Sequence, residues 1–297
     1  MPTAILPNAS LTEDQSRSIA WVTGAGGLIG SHIARTTNHS GCFRVVGLTR
    51  GALDLTDHLA VRRRFHEDSP ALVIHCAALS TAAGCDRDPG AARSVNIDAT
   101  AHLAELCSSI RLVYLSTDLV FDGGKGHYSE TDPVNPLNLY AETKVAAERS
   151  VSTNPRHLIL RTSLNAGNSP TGDRSFTEHL RRSWAGHKVV RLFTDEFRCP
   201  IAVSATARAV WELALSSATG ILHVAGTERL SRFQIGELLA RRWPGLDGLM
   251  RPASVRDFQG PARAADCSLD CARAQGLLSF PLPRFSEWLA SQVDLEG

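Results

Sequence analysis

A short apolar strand that runs into glycine-spaced turn and leaves it as a helix narrows most what this 297-residue chain can become. Ile19-Ala20-Trp21-Val22-Thr23 is apolar and β-prone, the pattern of a buried strand. It enters Gly24-Ala25-Gly26-Gly27-Leu28-Ile29-Gly30, and Ser31-His32-Ile33-Ala34-Arg35 continues as a helix. The spacing Gly24-x-x-Gly27-x-x-Gly30 meets three physical needs: a tight turn off the strand, close approach of backbone to a pyrophosphate, and close packing of helix on strand. The pyrophosphate then rests on unpaired N–H groups at the helix N-terminus. Glycines alone are weak evidence; the strand before and the helix after supply the context the motif requires.

Strand and helix signals alternate through the first two thirds. Strands are expected near 19–23, 43–48, 71–77, 112–116, 157–162 and 221–224, and helices near 28–38, 57–67, 96–107, 140–151 and 203–216. Such alternation predicts a parallel sheet covered on both faces, a Rossmann-type doubly wound α/β fold. The last third is more broken: Pro244, Pro252, Pro261, Pro281 and Pro283 interrupt short helices at 231–242 and 285–292. The expected organisation is a polar N-terminal extension over 1–18 and a dinucleotide-binding domain over 19–164 that also receives about 201–225. A smaller C-terminal α/β substrate-binding lobe would be built from 165–200 and 226–297.

The second strand, Phe43 to Leu48, ends at Thr49-Arg50. An NAD site usually carries a carboxylate here for the ribose 2′-hydroxyl, whereas a guanidinium suits a 2′-phosphate. Arg50 therefore favours NADPH, with NADH as the alternative. Asp54 of Leu53-Asp54-Leu55 is expected either to face the adenine or simply to lead the next helix.

Tyr140 and Lys144 form the chemical signal. The chain has three tyrosines and three lysines, so this pair, one helical turn apart, stands out against its background. A phenol titrates near ~10, and an adjacent ammonium is expected to move it towards working pH. Leu112-Val113-Tyr114-Leu115 is a buried strand whose carboxyl end offers a hydroxyl, Ser116 or Thr117, where open α/β sheets bind ligands. The two point to opposite sides, so one of them serves, and spacing does not say which. A phenol beside a reducible ketone can supply the proton as hydride arrives, an effect of about 10²–10⁴-fold. A hydroxyl can add a second hydrogen bond to the developing oxyanion.

At these residues the chain resembles the extended short-chain dehydrogenase/reductase superfamily and, within it, the dTDP-4-dehydrorhamnose reductase family. The matching segments are Val73-Ile74-His75-Cys76-Ala77-Ala78 with Val95-Asn96, Leu115-Ser116-Thr117-Asp118-Leu119-Val120-Phe121-Asp122-Gly123, Pro136 to Lys144, Leu160-Arg161-Thr162-Ser163, and Asp195-Glu196-Phe197-Arg198-Cys199-Pro200-Ile201. The resemblance implies Thr117, Tyr140 and Lys144 as the catalytic triad, with Lys144 also on the nicotinamide ribose. It implies Gly27, Leu28 and Ile29 at the pyrophosphate-binding turn, which the spacing extends to Gly24 and Gly30, and Cys76, Ala77 and Ala78 along the cofactor; Leu55, beside Asp54, is also expected at the cofactor. Thr117, Asp118 and Leu164 would meet the sugar of a nucleotide-sugar substrate. Leu164 departs from the family, which carries an aromatic platform there; its loss removes stacking worth roughly 0.5–1.5 kcal/mol. The reaction implied is NADPH-dependent reduction of a 4-keto-6-deoxy sugar on a nucleotide. The alternatives are an NAD-dependent epimerase or dehydratase, for which Asp118 would serve as the acid/base, and a non-catalytic nucleotide-binding regulatory subunit like that of methionine adenosyltransferase.

Composition excludes other classes. A net charge of +1 gives no case for nucleic acid, and Arg62-Arg63-Arg64 reads as a solvated helix face. Seven scattered cysteines form no disulfide or zinc pattern, so no metal is expected and a reducing, cytoplasmic compartment is. No apolar run approaches the ~18 residues that span a bilayer. A homodimer is compatible with the family resemblance.

Overall fold

The computed structural model describes residues 17–36, 42–243 and 247–292. Most of the expected 1–18 extension and the end of the helix expected to reach 38 lie outside the described residues. The main strands are β1 (Ser18–Thr23), β2 (Phe43–Leu48), β3 (Leu72–His75), β4 (Arg111–Thr117), β5 (Leu158–Thr162), β6 (Val190–Phe193), β7 (Gly220–Val224) and β8 (Met250–Ala253). The principal helices are α1 (Leu28–Arg35), α2 (His58–Asp68), α3 (Ala99–Leu106), α4 (Leu139–Ser152), α5 (Phe176–Ala185), α6 (Val203–Leu215), α7 (Arg232–Arg242) and α8 (Phe285–Ser291).

Six strands form one wholly parallel sheet in the order β7-β5-β4-β3-β1-β2. Alternate side chains feed two apolar layers, as the pleat requires. Ala20, Val22, Ile74, Val113, Leu115 and Leu160 face a layer closed by α1 and α6. Trp21, Val73, Leu112, Tyr114 and Ile159 face the other, closed by α2, α3 and α4. The strand order reverses between β1 and β3, and the crevice beyond their carboxyl ends is where a doubly wound sheet takes its ligand.

Two expectations need adjusting. β3 stops at His75 because the next two N–H groups, of Cys76 and Ala77, donate to the Thr23 hydroxyl (3.2 and 3.3 Å) instead of continuing the ladder. The helix expected from 96 starts earlier: Pro89 opens a turn at Pro89–Arg93, and Ser94–Asp98 passes through a π-helical turn before α3. Such turns insert one residue and re-aim side chains.

The remaining segments build a second core from α5, β6, α7, β8 and α8, around Leu180, Trp184, Leu192, Ile235, Leu239, Met250, Phe285 and Leu289. β6 and β8 pair in parallel. The lobe does not keep all of 226–297, however: Ala274 and Leu282 are buried under the main sheet with Leu222 and Val224. This stretch is anchored by the apolar surface of β7, which the lobe leaves uncovered. Among the described residues no helix is long and apolar enough to cross a membrane.

Candidate active site

The glycine turn is shaped by the nearness of β3. Gly24 has φ +68°, and a Cβ there would lie 2.7 Å from the Ala77 nitrogen and 2.8 Å from the Cys76 carbonyl carbon. Only a residue without a side chain lets β1 turn this close to the end of β3. Gly27 closes the turn, its N–H donating to the Gly24 carbonyl at 2.9 Å, and begins α1 with no side-chain cap. The first turn of α1, at Leu28 and Ile29, therefore presents backbone N–H groups to an anion rather than to its own cap. These features fit a dinucleotide pyrophosphate.

A buried polar chain fixes the crevice. Thr23 Oγ1 lies 2.6 Å from His75 Nδ1, and His75 Nε2 lies 3.0 Å from Thr100 Oγ1, which donates to the Asn96 carbonyl at 2.8 Å. With Thr100 donating onward, the consistent tautomer has His75 donating from Nε2 and accepting from Thr23 at Nδ1. Burial, and then the nearby Lys144, hold His75 neutral, its pKa pushed down to about 3. Asn96, on the π turn, clasps Leu79 through both backbone groups (2.8 and 3.1 Å) and donates to Thr143 Oγ1 at 2.9 Å. Thr143 in turn donates to the Tyr140 carbonyl at 2.7 Å. The cofactor-side loop and the helix carrying Tyr140 and Lys144 are thus locked in register.

Asn138 caps α4, accepting from the Ala141 N–H at 3.0 Å. From this start Tyr140 and Lys144 fall on one buried face. Thr117 lies close enough to Tyr140 to pull the phenol's pKa down, while its hydroxyl donates to Asp118 at 3.2 Å; Ser116 Oγ is buried without a partner, so Thr117 and not Ser116 is the hydroxyl near the phenol. The expectation that Lys144 pulls the phenol towards working pH is corrected. Burial pushes the Tyr140 phenol well above its ordinary value, and the nearby Thr117 hydroxyl offsets only part of this. Lys144 points elsewhere: Nζ donates to the Leu115 carbonyl at 2.7 Å and lies 4.1 Å above the Tyr114 ring. Burial lowers the ammonium's own pKa, with Glu148 and Cys76 opposing, to about 7.

Beyond Thr117 lies an ionic cluster that joins the sheet to the lobe. Asp118 accepts from Thr117 at 3.2 Å and from Ser163 at 2.6 Å, with Arg198 Nε 3.6 Å away. Burial raises its pKa, Arg198 and Ser163 pulling the other way. Arg198 continues to Glu196 (3.3 Å), which is fully buried and also takes Arg232 (2.7 Å) and Arg263 (2.5 Å). The roles of Asn96, Ser163, Glu196 and Arg198 here were not read from the sequence, although each lies within a family-like string. A buried charge inside an apolar-flanked string is the signal that could have found them.

The other expected residues fall as follows. Cys76, Ala77 and Ala78 follow directly on the end of β3, and burial keeps Cys76 a thiol with its pKa pushed up to about 12. Arg50 is exposed at the end of β2, with Asp54 3.8 Å from its Nε. Asp54 accepts from the Thr56 N–H and hydroxyl (3.0 and 2.7 Å), while the cap of α2 is Asp57, so Asp54 does not lead that helix. The Leu55 side chain is buried with Trp21 and Leu48, leaving its backbone for any cofactor contact. Leu164 packs half-buried against the lobe core. Among the described residues no group of three or more His, Cys, Asp or Glu side chains could hold a metal ion.

Comparison with known proteins gives this geometry its lineage. The model of the family described as RmlD substrate binding domain matches residues 19–296. A probable low-salt glycan biosynthesis reductase, Agl14, of Haloferax volcanii is 32% identical, covering 92% of this chain and 96% of that one. The dTDP-4-dehydrorhamnose reductase of Mycobacterium tuberculosis is 31% identical over 92% and 91%. Methionine adenosyltransferase 2 subunit beta of Bos taurus is 28% identical over 86% and 81%. Among solved structures, a dTDP-4-dehydrorhamnose reductase of Clostridium acetobutylicum superposes with a TM-score of 0.83 at 26% identity, covering 91% and 96%. MoeE5 in complex with UDP-glucose and NAD gives 0.75 at 26% identity, covering 93% and 97%. With a glycine turn and a switch-point crevice in place, the chain belongs to the RmlD substrate binding domain family of the extended short-chain dehydrogenase/reductases, NAD(P)-dependent oxidoreductases.

Proposed function

We propose that the protein reduces the 4-keto group of a nucleotide-linked 6-deoxy sugar with NADPH, as a dTDP-4-dehydrorhamnose reductase does. The observation that carries the reading is that Thr117, at the carboxyl end of β4, and the buried Tyr140 and Lys144 of α4 come together beside the β1/β3 crevice, Thr117 near enough to act on the phenol's pKa and Lys144 on the Leu115 carbonyl of β4. Bound NADPH would supply the hydride. The raised pKa of Tyr140 keeps the phenol protonated at neutral pH, the form that can give its proton to the ketone oxygen. Thr117, near the same phenol, would turn its hydroxyl from Asp118 to the substrate oxygen. The Lys144 ammonium, held by the Leu115 carbonyl, is within the crevice wall formed by β3 and β4 and would take the nicotinamide ribose. Arg50 would meet the 2′-phosphate. Leu164, in place of an aromatic platform, points to a sugar held less by stacking than by polar contacts.

Asp118 weighs against a dehydratase. Its oxygens are already taken by Thr117, Ser163 and Arg198, which suits an anchor between sheet and lobe better than a free acid. The likeness to a methionine adenosyltransferase subunit supports a second reading, a nucleotide-binding regulatory partner. The intact Thr117, Tyr140 and Lys144 favour catalysis over it. All seven cysteines are unpaired, which suits a cytoplasmic setting.

The test is NADPH oxidation by the purified protein with dTDP-4-dehydrorhamnose generated in situ, beside Tyr140→Phe. Turnover should fall about 10²–10⁴-fold in the variant with NADPH binding unchanged. Activity within tenfold of the parent refutes the role of the phenol. NADPH binding without turnover by the parent favours the regulatory reading.

A further inference from the structure

Tyr140, Lys144 and Glu148 recur every fourth residue of α4 and so share one face. Glu148 is buried and accepts from Arg161 twice, Nε to Oε1 at 3.0 Å and Nη2 to Oε2 at 2.7 Å. Arg161 is itself buried on β5, opposite Ser116 of β4, with its guanidinium 5.1 Å from the centre of the Phe121 ring. A buried pair of this kind adds little net stability, because desolvating two charges offsets their attraction. Its place behind Lys144 supplies a different reason for it.

The groups around the Lys144 ammonium are His75 from β3 and Cys76 just after it, Tyr114 from β4, Glu148 one turn along its own helix, and Arg161 from β5 behind Glu148. His75 and Cys76 are uncharged at neutral pH, and Tyr114, like Tyr140, is a neutral phenol. The hydrogen bond that Lys144 makes is to a neutral carbonyl. Glu148, one turn further along the same buried face, is therefore the carboxylate that acts on it, and Arg161 fixes the plane of that carboxylate through two hydrogen bonds.

We propose that Glu148, held by Arg161, is a positioning residue for Lys144: its carboxylate keeps the buried lysine an ammonium and turned into the crevice. The consequence for turnover rests on the functional reading above; the electrostatic coupling does not. Without Glu148 the burial that already brings Lys144 to about 7 meets less opposition, and the lysine loses its charge near neutral pH.

The chain contains three lysines, so protein labelled with ¹³C at the lysine ε-carbon gives a spectrum simple enough to titrate, with Lys125→Arg and Lys188→Arg assigning the other two signals. The parent Lys144 signal should titrate near 7. Glu148→Gln should lower the midpoint by about one unit or more, a tenfold loss of ammonium over neutral amine, since a nearby opposite charge is worth about 1–3 units. Arg161→Gln should raise it by freeing the carboxylate. Loosened packing would instead move both variants upwards, towards solution lysine. If either single variant fails to fold, Glu148→Met with Arg161→Met, a volume-filling pair, should also lower the midpoint. A midpoint unchanged or raised on loss of Glu148, or a parent midpoint near the solution value, overturns the proposal. Separately, the alkaline limb of kcat/KM should follow the Lys144 midpoint; a limb that stays put while the midpoint moves refutes the catalytic reading and leaves the coupling standing.

Discussion

Glu196→Gln tests the ionic cluster that ties the lobe to the end of β4. The carboxylate is fully buried. Burial alone would push its pKa up, but the guanidiniums of Arg232, Arg198 and Arg263 outweigh burial and bring it from 4.5 down to about 2. A depressed native pKa means that on acidification the unfolded chain takes the proton first. The stabilisation is therefore complete above about 4.5 and is lost as pH falls towards about 2. At ~1.36 kcal/mol per unit, the difference is worth about 3 kcal/mol at pH 7 and about 1 kcal/mol at pH 3. Breaking a buried pair by removing one partner costs about 3–5 kcal/mol by general experience, which agrees. The assay is urea unfolding of parent and variant followed by tryptophan fluorescence at both pH values. The variant should be less stable by about 3 kcal/mol at pH 7, with the gap narrowing to about 1 kcal/mol at pH 3. A gap that is the same at both pH values, or no loss at pH 7, refutes the assignment of Glu196 as the charge that holds these arginines.

Other outcomes follow from the cofactor side. Arg50→Ala should weaken NADPH about 10–100-fold while NADH changes little, as expected for one charge-assisted contact to a phosphate; equal losses in fluorescence titrations with the two cofactors would remove Arg50 from the 2′-phosphate. Gly24→Ala forces a Cβ to within 2.7 Å of the Ala77 nitrogen at φ +68°, which should cost about 2–4 kcal/mol from left-handed strain plus overpacking. Calorimetry beside Gly51→Ala, where nothing lies within 4 Å of the added atom, should show a lower melting temperature for Gly24→Ala alone.

Much of this molecule is legible before any coordinates are known. The six strands of the main sheet and the turn at Gly24 follow from hydrophobic runs and glycine spacing, because a strand buried on both faces must be apolar throughout and a helix packed on a tight turn must lack side chains there. Tyr140 and Lys144 stand out because a helix puts residues four apart on one face. These are local properties, set within a few residues of chain.

Other features belong to the folded molecule alone. Ser116 and Thr117 are adjacent hydroxyls, and it is the approach of α4 to the end of β4 that gives Tyr140 to Thr117. The ionisation of that phenol reverses the local expectation, because burial by residues from several elements outweighs a cation one turn away that faces Leu115 and Tyr114 instead. Asp118, Arg198, Glu196, Arg232 and Arg263 are spread over 146 positions of sequence and meet only where the lobe closes on the sheet. Residues near 274 and 282 leave the lobe for the sheet because β7 has apolar surface to cover. Sequence by itself determined the strands, the glycine turn and the placing of Tyr140 and Lys144 on one helix face. The tertiary structure decided which hydroxyl joins them, what charge each carries and what holds the two halves together, since desolvation and ion pairing depend on neighbours that are distant in the chain.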